Sequence, residues 1–149
     1  MIEENMRTVD ITRTSRGVYE AVNRHGVKMV FSHDGAETFT PVELLLTAIA
    51  GCSGIDVDFI TSKRSEPVSF TMHIEGEKVR DETGKNAVSG ISLTFDIAFP
   101  EGEGGDAARG VLERAVHQSH DRLCSVSRTV EIGTPVEVRI ADQDGRQSA

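Results

Sequence analysis

Residues 40–57 have the sequence TPVELLLTAIAGCSGIDV, a well-marked helix start that leads into a long apolar run. Thr40 can cap the helix, Pro41 suits its first position, and Glu43 completes a capping box. Residues 44–60 are apolar on nearly every face, which is typical of a central helix covered on all sides. One small domain offers such a helix little more than a single sheet, so a partner subunit is an expected source of cover.

Strands are predicted on both sides of this helix, because apolar and polar residues alternate there. A second helical region begins at Asp106 and extends to about Glu131, with a break expected near Ser119 or His120. The strands cluster instead of alternating one by one with helices, which predicts an α+β fold. They are residues 6–12, 18–22 and 27–31, then a hairpin of 67–77 and 91–99, and a last strand at 134–140.

Length and charge limit the classes of function. The 149 residues predict one domain, 1–149, with a loose polar tail from about residue 143. The formal charge is 16 minus 24, or −8, which argues against binding to nucleic acid or to an anionic membrane surface. Glu43, Thr47 and Asp56 interrupt the longest apolar stretch, so no bilayer span is predicted.

The compartment is predicted from the start of the chain. The acidic, polar N-terminus lacks the basic start and apolar run of a secretion signal. We therefore expect a cytoplasmic protein. Thiols are kept reduced there, and a disulfide is usually transient and functional.

Cys52 and Cys124 are the only cysteines, so one intramolecular disulfide is the most they can form. Each could equally be a small buried core residue or a redox-active thiol. Cys52 lies about three turns into its helix, where the helix dipole has little effect on acidity, so a reactive thiolate would need a nearby cation or hydrogen-bond donor. Gly51 and Gly54 flank it and would allow another helix or a substrate to approach closely.

Residues 40–57 together with Leu123-Cys124-Ser125-Val126-Ser127 resemble the OsmC/Ohr family of osmotically induced and organic hydroperoxide resistance proteins. The sequence is most similar to the YhfA-like branch, and the resemblance covers almost the whole chain. It implies an α+β OsmC-like fold with N-terminal strands, a long central helix, a hairpin, a helical pair and a last strand. It also implies an intertwined homodimer with two sites at the subunit interface.

The resemblance further implies a thiol-dependent peroxidase. Cys52 would attack the O–O bond of an organic hydroperoxide and become a sulfenic acid, and Cys124 would condense with it to a disulfide. An external dithiol reductant would restore the pair, and no cofactor is needed. The alternative is a non-enzymatic stress protein of the same fold. It would bind an apolar ligand at the dimer interface, with structural or redox-sensing cysteines.

One position departs from the peroxidase pattern. The peroxidase members of the family place a glutamate ten residues before the reactive cysteine, where it holds an arginine that supports the thiolate. Here that position is Val42, and Glu43 follows one residue later, turned ~100° around the helix. A capping role and a catalytic role both stay open for Glu43.

The supporting arginine also stays open. Arg16, in the turn Ser15-Arg16-Gly17, is the nearest match to the family's arginine, and Arg24 is the second candidate. Arg128 follows Cys124 by four residues and would share its helical face. Each could instead be a solvated surface residue.

A metal site is the remaining alternative. His117, His120 and Cys124 are spaced by three and four residues, a geometry that can bind zinc on one helix face. No second cluster of metal ligands accompanies them, and the resemblance explains Cys124 without a metal. We therefore expect no metal.

Overall fold

The computed structural model describes residues 5–141 and 147–148. Within them the chain forms an α+β arrangement of strands, three α-helices and one π-helical turn. The elements are β1 (Val9–Ser15), β2 (Val18–Asn23), β3 (Lys28–Ser32), α1 (Pro41–Thr61), β4 (Ser69–Arg80), β5 (Asn86–Ala98), α2 (Glu103–Gln118), the π turn (Ser119–Leu123), α3 (Ser125–Ile132), β6 (Ile140–Ala141) and β7 (Gln147–Ser148).

The chain divides into two units. The first contains β1–β3, the start of α1 up to Gly51, and residues 70–96 of the β4–β5 hairpin. The second contains residues 52–69 and the chain from Ile97 onward. The second unit therefore contains both cysteines, Cys52 and Cys124, together with all of residues 97–133.

The first unit is built on the antiparallel sheet β1-β2-β3, which confirms the three predicted N-terminal strands. Tyr19 and Phe31 are directly opposite in the register, and their rings stack with centroids 5.6 Å apart. The turn between β1 and β2 needs Gly17 for two reasons. Its φ is +74°, and a Cβ there would overlap the ring of His33.

The start of α1 carries the predicted capping box. The Oε1 of Glu43 accepts the backbone N–H and the hydroxyl of Thr40, each at 2.9 Å, and the Oγ1 of Thr40 accepts the N–H of Glu43 at 3.4 Å. The N–H and hydroxyl of Thr40 stabilise the charged carboxylate and so lower the pKa of Glu43. The helix therefore begins where the sequence indicates, at Pro41.

The β4–β5 hairpin is also confirmed, with strands longer than predicted. Its turn is held by Asp81, whose Oδ1 accepts the N–H groups of Thr83 and Lys85 at 2.8 and 3.0 Å. Gly84 completes the turn with a φ of +80°.

The central helix α1 is not covered on all sides by its own chain, as the sequence analysis expected. Ile55 is 56% exposed and Phe59 is 66% exposed, one turn apart on the same face. By length and composition alone, α1 would also pass as a membrane-crossing segment, as the core helices of soluble proteins can, so the expectation of no bilayer span stays a prediction. Buried Val57 and Thr61 show that the opposite face belongs to a protein core.

The second helical region differs in detail from its prediction. Helix α2 begins at Glu103 instead of Asp106, because Gly102 with a φ of +112° ends the preceding loop. The expected break near Ser119 is confirmed as a π turn, after which Cys124 is extended and α3 begins at Ser125. Helix α3 ends at Gly133, a left-handed C-cap with a φ of +65°.

The predicted last strand is wrong over most of its length. Residues 134–139 are irregular, and only Ile140–Ala141 forms a strand, paired with Gln147–Ser148. A strand needs a neighbouring ladder, and within the described residues of this chain Val136 and Val138 have no such neighbour and are exposed. The predicted polar tail lies mostly outside the described residues, although Gln147–Ser148 within it is paired.

The start of α2 packs tightly against the end of β5. Gly105 is buried, and a Cβ there would overlap the carbonyl oxygen of Pro100. That carbonyl is held in place by Arg109, whose Nη1 also donates to the carbonyl of Phe99 at 3.0 Å. The close backbone approach therefore leaves no room for a side chain.

We expect Gly105→Ala to destabilise the protein by about 3 kcal/mol, at the upper end of overpacking costs, because a fixed carbonyl has to move. Gly110→Ala in the same helix is the control, since open space surrounds Gly110 and alanine favours a helix by about 1 kcal/mol. Urea unfolding measures both free energies. Equal stability of the two variants would contradict the proposed close approach.

His120 joins the π turn to α3. Its Nδ1 lies 3.1 Å from Oδ1 of Asp121, and its Nε2 lies 2.9 Å from Oε1 of Glu131. A neutral imidazole has only one N–H to offer two carboxylates, whereas the imidazolium has two. The hydrogen bond to Asp121 and, next, the interactions with Glu131 raise the pKa of His120.

The raised pKa predicts that this contact stabilises the fold at low pH. Its contribution is fully present below the unfolded pKa of about 6.5 and is lost as the pH rises through the folded value. We expect Glu131→Gln to lower the free energy of unfolding by a few tenths of 1 kcal/mol at pH 6, within the range for exposed pairs, and by less at pH 8.5.

Glu137→Gln is the control, because Glu137 pairs with Arg139 at 2.8 Å and arginine does not titrate in this range. Its effect should be equal at the two pH values. A pH-independent effect of Glu131→Gln would rule out the histidine contact as the cause.

Candidate active site

Cys52 lies on α1, in the part of the helix that belongs to the second unit, and its side chain is half-buried. A Cβ at the preceding Gly51 would meet nothing within 4 Å, so the helix surface beside Cys52 is open in this chain. Burial raises the pKa of Cys52, and the neighbouring thiol of Cys124 raises it further. The backbone N–H of Val126 and the side chain of Ser125 act in the opposite direction.

Cys124 is the N-cap of α3 and is 2% exposed. Its Sγ accepts the backbone N–H of Ser127 at 3.4 Å and lies 3.3 Å from the Oγ of Ser127. Burial alone would raise the pKa of Cys124. Hydrogen bonds from Ser127, Ser53 and Cys52 outweigh that effect, and the pKa is lowered overall.

The structure therefore brings the two cysteines together. Each thiol affects the pKa of the other through a side-chain hydrogen bond, and both are free thiols. The shifts have opposite signs: the buried Cys124 is the more acidic thiol, and the more accessible Cys52 is the less acidic one. A pair of this kind can lose two electrons and two protons to form a disulfide.

The π turn fixes the position of Cys124. The N–H of Cys124 donates to the carbonyl of Ser119 at 2.8 Å, which closes the wide turn. The hydroxyl of buried Ser119 donates to Oδ2 of Asp56 at 2.8 Å. Because Asp56 follows Cys52 by one helical turn, this bond connects the helix of one cysteine to the turn that carries the other.

Glu43 does not take part in this cluster of thiols and serines. Its carboxylate is engaged in the capping box at the start of α1, which lies in the first unit. Val42, at the position where a glutamate is expected in the peroxidases, is half-buried in the same unit. The capping interpretation of Glu43 is confirmed, and its catalytic role stays a prediction.

The three candidate arginines lie on the surface. Arg16 is exposed in the β1–β2 turn of the first unit, and the Nε of Arg24 contacts the ring of His25 at 3.3 Å. Arg128 is exposed on α3, and its backbone N–H donates to the carbonyl of Cys124. Because Cys124 is an extended N-cap, the helical face that was expected to align it with Arg128 does not extend to it.

Within residues 5–141 and 147–148, the structure contains no group of three or more metal-ligating side chains. The π turn disrupts the regular spacing that suggested a shared face for His117, His120 and Cys124. His120 contacts two carboxylates, and His117 is exposed near Glu113. The regular helical face on which the zinc interpretation rested is therefore interrupted, and the expectation of no metal stays a prediction.

The sequence analysis did not assign roles to four residues of the cluster: Ser53, Ser119, Ser125 and Ser127. Asp56, noted in the sequence only as an interruption of the apolar stretch, accepts a hydrogen bond from Ser119. A usable signal was present, because a polar Ser-Val-Ser run directly after Cys124 is typical of a helix start.

A separate groove of about 590 Å³ lies in the first unit. Its walls are mainly apolar, and the residues that line it include Tyr19, Phe31, Pro41 and Val42. His33 and Lys78 add polar groups to it. The groove has the size and character of a site for a small apolar ligand.

Comparison with known proteins agrees with this architecture. Residues 33–139 match the family model for OsmC-like proteins. Protein YhfA of Escherichia coli K12 is 30% identical over 113 residues, which cover 75% of this chain and 78% of YhfA.

Two solved structures illustrate the shared fold. An OsmC-like protein of unknown function from Vibrio cholerae superimposes with a TM-score of 0.71 at 17% identity, over 85% of this chain and 94% of that one. The organic hydroperoxide resistance protein OhrB of Bacillus subtilis gives a TM-score of 0.52 at 15% identity, over 83% and 90% of the two chains. The family match and the relationship to YhfA show that this chain belongs to the OsmC-like family.

Proposed function

We propose that this protein is a thiol-dependent peroxidase that reduces organic hydroperoxides through a cycle between the Cys52/Cys124 dithiol and its disulfide. The observation that carries the proposal is the direct interaction of the two thiols in one cluster of serines. The name of one structural neighbour, an organic hydroperoxide resistance protein, supports organic hydroperoxides as the substrate class. The expected compartment is the cytoplasm, where dithiol reductants are available.

The chemistry assigns different roles to the two sulfurs. Cys52 is the accessible thiol, so it attacks the distal oxygen of the hydroperoxide, which breaks the O–O bond and releases an alcohol. The resulting sulfenic acid condenses with Cys124, and water leaves as the disulfide forms. An external dithiol then reduces the disulfide by thiol–disulfide exchange and restores the pair.

The alternative is a stress protein that binds an apolar ligand without chemistry. The apolar groove of the first unit favours it, because its volume would hold a small ligand. In that case the cysteines would be structural or redox-sensing. Glu43 and Arg16 would then have no catalytic role.

We propose that the functional form is a homodimer. Large apolar side chains are exposed on β1, α1 and α3, including Ile11, Ile55, Phe59 and Ile132. Exposed apolar surface on this scale is typical of a protein–protein interface. A second copy would supply the cover that α1 lacks within its own chain.

The peroxidase proposal predicts prompt loss of two thiols per chain when reduced protein meets a slight excess of cumene hydroperoxide. Cys52→Ser should lose none, because the attacking sulfur is absent. Cys124→Ser should consume one equivalent and stop at a sulfenic acid, since no resolving thiol remains. Thiol titration and intact mass measure these outcomes. Wild-type thiols that survive excess hydroperoxide would refute the enzyme and leave the binding protein.

The dimer proposal predicts that the wild-type protein sediments at twice the chain mass. Phe59→Glu should shift it toward the monomer, because a carboxylate placed in an apolar interface loses its hydration without gaining a partner. Lys63→Glu is the control, since Lys63 is also exposed near the end of α1 but is already charged. A wild-type monomer at micromolar concentration would contradict the proposal.

A further inference from the structure

The first turn of α3 faces both sulfur atoms. The N–H of Ser127 donates to Cys124 at 3.4 Å, and the N–H of Val126 interacts with Cys52. N–H groups in the first turn of a helix have no partner within the helix and carry partial positive charge. They can therefore stabilise one negative charge on the thiol pair, in the way that lowers the pKa of cysteines at helix N-termini.

The surrounding N–H and hydroxyl groups stabilise a negative charge on Cys124 more than on Cys52. Cys124 is the N-cap residue of α3. Its sulfur contacts the backbone N–H and the hydroxyl of Ser127 and interacts with the side chain of Ser53. Cys52 is itself a partner of Cys124, and their hydrogen bond favours the charge on Cys124. The N-cap position and the Ser127 contacts therefore favour the negative charge of the reduced pair on Cys124, which is 2% exposed and lies next to a thiol that substrate can reach.

This arrangement creates a chemical requirement. A thiolate is the nucleophile toward peroxide, and a neutral thiol reacts poorly. The accessible Cys52 therefore has to transfer its proton before or during attack. The Cys124 sulfur, which interacts with Cys52, is an available acceptor for that proton.

We propose that Cys124 acts first as the base that removes the proton from Cys52 and afterwards as the resolving thiol, with Ser127 as a positioning residue that holds Cys124 ready for both steps. This inference rests on the proposed reduction of hydroperoxides. It assigns to Cys124 a function at the start of the cycle as well as at its end.

The steps balance without any further group. The proton of Cys52 moves to the Cys124 thiolate, and the Cys52 thiolate attacks the distal oxygen of ROOH, giving Cys52–SOH and RO⁻. The Cys124 thiol protonates RO⁻ to ROH and becomes a thiolate again. That thiolate attacks the sulfur of Cys52–SOH, forming the disulfide and releasing hydroxide. In sum, a dithiol monoanion and ROOH give a disulfide, ROH and OH⁻.

Asp56 and His120, two charged or titratable groups on the neighbouring elements, have other partners. Asp56 on α1 accepts the hydroxyl of Ser119, and His120 in the π turn contacts Asp121 and Glu131 of α3. Those bonds hold the backbone around Cys124, and none of them involves a sulfur atom. The serine contacts therefore remain the groups to alter in a test.

The first experiment measures acidity without any hydroperoxide. In a Cys52→Ser protein, the pH dependence of iodoacetamide alkylation gives the pKa of Cys124, which we expect below the ordinary value of about 8.5. Adding Ser127→Ala to this protein should raise the pKa of Cys124 by about one pH unit, because a hydrogen bond to the charged sulfur is lost. Ser127→Thr should restore it.

Thr129→Ala is the matched control, since its hydroxyl bonds only to the carbonyl of Ser125 in the same helix. It should leave the pKa unchanged. Circular dichroism verifies that each variant is folded, and the threonine variant separates loss of the hydroxyl from loss of the fold. A Cys124 pKa at or above the ordinary value, unaffected by Ser127→Ala, would overturn the inference.

The second experiment measures the first chemical step. Stopped-flow formation of the Cys52 sulfenic acid, trapped with dimedone, should be at least about tenfold slower at pH 7 in Cys124→Ser than in the wild type, within the range for loss of a general base. A Cys124 that acts only in resolution would leave this step unchanged, and that result would sink the inference. Peroxidase activity with an unchanged first step would still support the proposed function.

Discussion

The start of α3 at Cys124 is the feature on which the thiol cluster depends. Without the π turn, α2 would continue as one helix, and Cys124 would have no free N–H groups to contact. The wide turn closes when the N–H of Cys124 donates to Ser119, and Cys124 then begins the next helix as its N-cap. A cysteine in this role is both a structural group and a candidate reactive group. Insertions of this type in helices are frequent at functional sites.

The hydrogen bond between Ser119 and Asp56 extends this constraint to the central helix. Ser119 is buried, so a hydroxyl there without a partner would destabilise the fold. Its partner lies one turn beyond Cys52, so satisfying the hydroxyl also sets the separation of the two cysteines. Stability of the π turn and proximity of the thiols are therefore the result of one contact.

The sequence was sufficient to predict the features that local rules govern. The capping box at Thr40, the β4–β5 hairpin and the helix break near Ser119 follow from residues close together in the chain. It was insufficient where the outcome depends on partners distant in the chain. Alternation at residues 134–140 predicts a strand, but pairing needs a neighbour that the pattern does not specify. The position of Cys124 relative to Cys52 depends on a contact between residues 56 and 119, which no local pattern encodes.

The absence of a glutamate at Val42 and the concentration of hydrogen-bond donors at Cys124 concern the same requirement, which is support for a thiolate. Where a glutamate and an arginine support the attacking thiolate, the resolving thiol has no need to be acidic. In this chain the glutamate position is Val42, and the carboxylate of the next residue, Glu43, is engaged in a cap. Donors that could support a thiolate are instead concentrated on Cys124, as serine hydroxyls and helix N–H groups. Neutral donors lower a pKa less than a paired cation does, so the charge should be shared between the sulfurs and move with the proton.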